Sequence, residues 1–271
     1  MPIYQAQELI ALTKIRKAIL VFGPPITGKT YSLWTLVRWL KQNNLGKLHL
    51  FDLDRKCESL VRKLDKEKLL DYLLVYQYTP PDKLGSGATQ PGSKDLFVAF
   101  QNDYNKYWDN VEPNTGAWKS TYTDPPGAIF IDSLTRFQEI VMDYIISSLG
   151  RPLGAPNTDA RADYGKQMQK VMEAVQSLKS LPCITGWLAH DQMEKDEILG
   201  KIVVLPNVTG KKLPSMLAKE FNCVLYSVVQ QVADKAAYKW QVSPQGWVQS
   251  AGVTSRDDLP VFVEQDYAKV F

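Results

Sequence analysis

V-F-G-P-P-I-T-G-K-T, from Val21 to Thr30, is the stretch whose reading decides the fold. Gly23 and the run Gly28-Lys29-Thr30 stand at the spacing G-x-x-x-x-G-K-[ST] of a phosphate-binding loop. Each residue type has a reason to be there. Glycines let the backbone curl so that consecutive N–H groups face one anion. Lys29 would bring a cation to the β- and γ-phosphates, and the Thr30 hydroxyl would hold Mg²⁺. Gly23, Pro24, Pro25, Ile26, Thr27, Gly28, Lys29, Thr30 and Tyr31 are therefore the candidate nucleotide contacts. The flanks suit this reading. Lys17–Phe22 is a short apolar strand, and Tyr31–Gln42 is a helix with Leu33, Leu36, Val37 and Leu40 on one face and Gly46 just beyond it. A helix in that position aims its positive end at the bound anion.

Working outward, 271 residues with 45% hydrophobic content support a real core in one large domain or two small ones. No apolar run approaches the roughly 20 residues needed to span a bilayer, and the N-terminus lacks a signal-peptide layout. Cys57, Cys183 and Cys223 are few and far apart, which suggests neither a disulfide framework nor a zinc site. A cytoplasmic protein with no membrane partner is expected. The net charge of +3 permits nucleic-acid binding without arguing for it.

Along the chain, residues 1–16 read as a helical lead-in, 48–53 and 73–78 as strands, and 79–93 as a mobile Pro/Gly/Ser-rich loop. A helix is expected over 95–108 and irregular chain to Gly127. Ala128–Ile131 is a buried strand ending at Asp132. Helical periodicity covers 134–149 and 163–181, with Tyr164, Met168, Val171, Met172, Val175 and Leu178 on one face of the second. Ile184–Ala189 is a strand followed by a polar loop, 222–229 is another strand, and the tail reads as a hairpin and extended strands. Alternating strands and helices predict an α/β fold with a mainly parallel, helix-covered sheet. The division expected is one domain over 1–271, with an insertion at 79–125 and a β-rich extension at 230–271.

Asp132, at the end of a buried strand, is the natural second metal contact beside Thr30. The alternative is a strand-end aspartate that caps the next helix with help from Ser133. Hydrolysis also needs a group that orients or deprotonates water. Ser133 stands directly after Asp132, so the carboxylate is sought on the preceding strand, where Phe51-Asp52-Leu53-Asp54 offers two acids that alternation puts on one face. Asp54 is the choice and Glu58 the second; the competing reading has these acids cap a helix starting near Lys56. His190, at another strand end, either senses the γ-phosphate or is a structural histidine; His49, mid-strand, reads as core. Tyr104, Tyr107, Trp108, Trp118 and Tyr122 read as core or cover rather than base-stacking groups.

These motifs resemble the RecA-like P-loop ATPases, and more narrowly the phage AAA-type proteins that include single-strand annealing and recombination ATPases. The resemblance rests on G-P-P-I-T-G-K-T, F-D-L-D at 51–54, I-F-I-D-S at 129–133, D-Y-G at 163–165, W-L-A-H-D at 187–191 and L-P-N-V-T-G-K-K-L-P at 205–214. It implies an ATP- and Mg²⁺-dependent ATPase in which Lys29, Asp54, Asp132 and His190 carry the chemistry. In that family a glutamate stands where Asp54 does, and a glutamine where His190 does. It implies single-stranded DNA as partner through loops at about 150–162 (Arg151, Arg161) and 191–209 (Lys195, Lys201), and a homo-oligomer working with phage recombination or replication proteins. Lys211 and Lys212 would reach a neighbouring subunit's phosphates, unless they form a solvated basic turn. Two other classes stay open: a nucleotide-gated adaptor with little turnover, and a small-molecule phosphotransferase.

Overall fold

Alternation along buried strands sorts the core into two layers. The computed structural model describes residues 16–78, 93–151, 160–195, 200–210, 213–254, 256 and 258–271. The expected lead-in, most of the expected 79–93 loop, and Lys211 and Lys212 lie outside them. In chain order the strands are β1 (Ala18–Phe22), β2 (Leu48–Asp52), β3 (Leu73–Tyr76), β4 (Ala128–Asp132) and β5 (Ile184–Ala189), then β6 (Asp191–Lys195), β7 (Ile202–Pro206), β8 (Cys223–Val232), β9 (Lys235–Gln241), β10 (Gly252–Val253) and β11 (Phe262–Glu264). The helices are α1 (Lys29–Gln42), α2 (Glu58–Lys66), α3 (Ser93–Asp109), α4 (Leu134–Ser148), α5 (Ala160–Lys179) and α6 (Leu213–Ala218).

The main sheet runs β11-β9-β8-β1-β5-β4-β2-β3, with β10 paired to the start of β8. From β3 to β8 every pairing is parallel, while β9 and β11 are antiparallel. β1, β2, β4 and β5 are buried along their whole length, as parallel strands covered on both faces must be. Successive side chains point to opposite faces. Ile19, Val21, Leu50 and Phe130 meet α1 and α2 on one side, whereas Leu20, Phe22, Ile129 and Ile131 meet α3, α4 and α5 on the other. Among the described residues no helix is long and apolar enough to cross a membrane.

Register does the positioning. Asp52 pairs with Asp132, Asp132 with Leu188, and Phe22 with Ala189. The residues that follow Phe22, Asp52 and Ala189 therefore leave the sheet at one edge, level with Asp132. One strand, β5, separates the phosphate-loop strand from the Asp132 strand.

Two expectations need correction. The region after Ala189 is not only a loop: β6 and β7 form an antiparallel ribbon, and α6 follows. Asp191–Lys195 (D-Q-M-E-K) buries no face, so backbone pairing holds it and leaves no hydrophobic period to read. On α5 the core face is Met168, Val171, Met172, Val175 and Leu178, while Tyr164 is exposed. The insertion aromatics serve as cover: Tyr104 and Tyr107 are buried, and the Tyr107 hydroxyl lies 2.8 Å from His49 Nδ1 in the core.

Candidate nucleotide site

The loop between β1 and α1 is shaped by short-range bonds. Lys29 Nζ turns back to donate to the carbonyls of Gly23 (2.8 Å) and Pro24 (2.7 Å), and Thr27 Oγ1 donates to Pro24 O at 2.8 Å. Gly23 has φ 152 and lies so close to β8 that a Cβ there would stand 2.6 Å from Ser227 O. Gly28 has φ 85 and caps α1, whose positive end opens onto the loop. A positive φ also falls on a non-glycine, Ile26, 90% exposed with φ 64, a backbone region that β-branched residues seldom occupy. Pro24 is half-buried, Pro25 exposed, and Tyr31 lies exposed on the first turn of α1. Burial lowers the Lys29 ammonium to about 8, against the pull of Asp132, Asp191 and Asp54.

The acids arrive from neighbouring strands. Thr30 Oγ1 donates to Asp132 Oδ2 at 2.5 Å across 102 residues. Asp132 is buried, and desolvation, with Asp54 and Asp52 adding repulsion, raises its carboxyl to about 6 despite Thr30 and Lys29. Hard oxygen donors from a hydroxyl and a buried carboxylate, already in contact, fit a Mg²⁺ site. Ser133 caps α4 by accepting from Arg136 N at 3.1 Å, so the capping reading holds for Ser133.

Asp52 and Asp54 do not work as an alternating pair. β2 ends at Asp52, whose fully buried carboxylate accepts from Lys56 N, Cys57 N and Gln77 Nε2. Asp52 thus holds the turn that leads into α2 rather than the amides of its first turn. Asp54 lies in the bend beyond, where the amides of Leu53 and Asp54 both donate to Asp132 O (2.6 and 3.2 Å). That backbone contact, not strand alternation, brings Asp54 to Asp132. Its Oδ2 lies 3.8 Å from His190 Nε2. Burial acts to raise the Asp54 carboxyl, but His190, the Ser133 hydroxyl and Lys56 outweigh it and hold it below the usual carboxylate range. Glu58 points to solvent and pairs with Arg62 one turn on.

His190 follows β5 and is gripped by its own peptide. Its N–H donates to Thr135 Oγ1 at 3.1 Å and its carbonyl accepts from Asn207 N at 2.7 Å, while its Nδ1 is buried with no hydrogen-bond partner. Asn207 belongs to the stretch after β7, which α4 also holds. Gln138 Nε2 donates to Asn207 O, and Gln138 Oε1 accepts from Thr209 N (2.6 Å) and Thr209 Oγ1 (3.0 Å).

Lys29, Thr30, Asp132, Asp54 and His190 therefore converge at one sheet edge, whereas Asp52 and Glu58 are employed elsewhere and Lys211 and Lys212 lie outside the described residues. Sequence reasoning missed Thr135, Gln138, Ser227, Tyr238 and Gln265. Thr135 and Gln138 did leave a signal, since they are polar groups on the partly or fully buried face of an apolar helix. The other three left none, because they reach the loop from the far end of the chain.

A loop of this kind between strand and helix, one strand removed from a buried strand-end aspartate, is the arrangement of a RecA-like P-loop α/β fold. The model of the AAA domain family matches residues 15–248, and the chain belongs to that family. Among solved structures, the KaiC-like protein PH0186 from Pyrococcus horikoshii OT3 is similar at 10% identity, with 83% of this chain and 77% of that one covered and a TM-score of 0.40. The flagellar accessory protein FlaH from Methanocaldococcus jannaschii is similar at 10% identity, with 89% and 83% covered and a TM-score of 0.44. No curated protein matches the chain.

Proposed function

We propose that this chain, acting as a single domain within a homo-oligomer, hydrolyses ATP and couples turnover to single-stranded DNA in phage recombination, annealing or replication. The observation that carries the ATPase reading is the convergence of Lys29, Thr30 and Asp132 with the Asp54–His190 pair. Lys29, turned onto carbonyls in a site that disfavours its charge, gains from a phosphate partner. Thr30 and Asp132 would hold Mg²⁺, which neutralises charge on the phosphates. Asp54, held ionised at neutral pH, accepts a proton from the water that attacks the terminal phosphorus as the ADP oxygen departs. His190 carries the state of that end into Asn207 and Thr209 through its peptide and α4.

The DNA reading draws on the motif resemblance and on exposed cations, Lys195 and Lys201 at the β6–β7 ribbon and Arg161 on α5. Arg151 is already engaged: its guanidinium lies 2.8 Å from both oxygens of buried Asp163. Lys211 and Lys212, directly after Gly210, are assigned to a neighbouring subunit's phosphates. The test is ATP turnover with and without oligo-dT, with Lys29→Ala as the blank. Stimulation abolished in the variant supports the reading; Lys29-dependent turnover indifferent to DNA overturns the DNA half.

One observation favours a second reading, a nucleotide-gated adaptor with little turnover. Asp54 is one methylene shorter than glutamate and sits beyond hydrogen-bond reach of His190. If reach limits the chemistry, Asp54→Glu raises kcat while ATP affinity holds; an unchanged low kcat in both proteins supports the adaptor.

A further inference from the structure

We propose that Gln265 is a positioning residue for the phosphate loop, so that β11 and the turn after it respond to phosphate bound at residues 23–30. The inference rests on the reading of that loop as a nucleotide site and adds a residue from the opposite end of the chain. Gln265 Nε2 donates to Thr27 O at 2.9 Å, across 238 residues, and lies 3.2 Å from Ser227 Oγ and 3.3 Å from Lys239 O. Its Oε1 stands 2.7 Å from where a Cβ on Gly28 would be, and the edge of the Tyr238 ring is 3.1 Å from the same point. One amide thus ties the loop to β8 and β9 at the glycine that opens α1.

The next two residues grip the helix behind the loop. Asp266 pairs with Arg38 at 2.8 Å, and Tyr267 N donates to Thr35 Oγ1 at 3.1 Å, both on α1. The Tyr267 ring is fully buried against Trp240, Phe130 and Phe271. Residues 265–267 therefore anchor loop and helix as one unit, and only Gln265 touches the loop. Because Thr27 O is a loop carbonyl, its hydrogen bond helps to set the peptide planes whose N–H groups face a phosphate. A contact that favours the binding conformation must itself be strengthened by binding, to the same factor.

The probes are inorganic tripolyphosphate and ATP on the full chain, measured calorimetrically. Gln265→Met keeps the side chain's length and removes its donor and acceptor. It is expected to weaken both ligands about fivefold, the value of one net hydrogen bond, and equally, since the contact is to the loop and not to a base. Arg38→Met breaks the neighbouring ion pair, lowers Tm comparably and leaves affinity unchanged. In the native chain tripolyphosphate slows amide exchange over 262–266, and in Gln265→Met it does not. Native affinity in Gln265→Met, or exchange over 262–266 that ignores bound tripolyphosphate, overturns the proposal. If the native chain binds neither ligand and matches Lys29→Ala, the nucleotide reading itself fails and takes the proposal with it.

Discussion

The two ends of the candidate nucleotide site are built in different ways. At the loop end, the bonds that shape the turn are short in sequence, Lys29 to Gly23 and Pro24 and Thr27 to Pro24, and Gln265 adds a brace from the far end of the chain. At the acid end, Thr30 meets Asp132 from 102 residues away, and Asp54 faces His190 across most of the sheet's connectivity. The loop is a local motif that any strand–helix junction can carry. The acid end exists only because β1, β5, β4 and β2 are neighbours with their C-terminal ends in register. On the proposed reading, the first end holds the phosphates and the second holds the metal and the water-activating group.

The largest effect that breaks this comparison is Asp54→Asn. It is expected to lower kcat by about 10²–10⁴-fold, the range for a lost general base, with ATP affinity held within about threefold. Equal loss of affinity, measured by calorimetry, would show that Asp54 belongs to the binding end instead. Next comes Tyr267→Ala, which empties a fully buried ring site behind α1 and costs about 3–5 kcal/mol by denaturant unfolding. A cost under about 1 kcal/mol would mean that the C-terminal turn does not brace the loop helix.

The core histidine sharpens the contrast between core and site. His49 is buried in β2 beside Tyr107, and desolvation lowers it to about 4. The unfolded chain protonates this imidazole near 6.5, so between 6.5 and about 4 it binds more protons than the folded chain. Stability is therefore intact above pH 6.5 and falls by about 3 kcal/mol as the pH drops toward 4. Urea unfolding across that window should show this slope, and His49→Gln should flatten it. The smallest effect is at Glu58, whose exposed pair with Arg62 is worth under about 0.5 kcal/mol. Glu58→Ala should leave kcat unchanged; a tenfold loss would restore it as a rival to Asp54.

Much of the fold was legible because strongly buried parallel strands announce themselves. Ala18–Phe22 and Ala128–Ile131 are continuous apolar runs, Ile184–Ala189 is buried throughout, and the helices between them show a clean period. The β6–β7 ribbon was not, since Asp191–Lys195 is held by backbone pairing that leaves no hydrophobic trace. The F-D-L-D acids were legible as a pair but not in their division of labour. Asp52 turned inward to hold the turn before α2, and Asp54 was drawn to Asp132 by main-chain bonds that side-chain alternation does not report.

By itself the sequence determined the phosphate loop, the strand-end position of Asp132 and the α/β class, because these depend on residue type at fixed local spacing. Tertiary structure alone decided which acid faces His190, that Gln138 holds the stretch before Lys211, and that Gln265 braces Thr27. Those pairings follow from sheet order and register, which bring together residues separated by up to 238 positions and leave no mark on the neighbours of either partner.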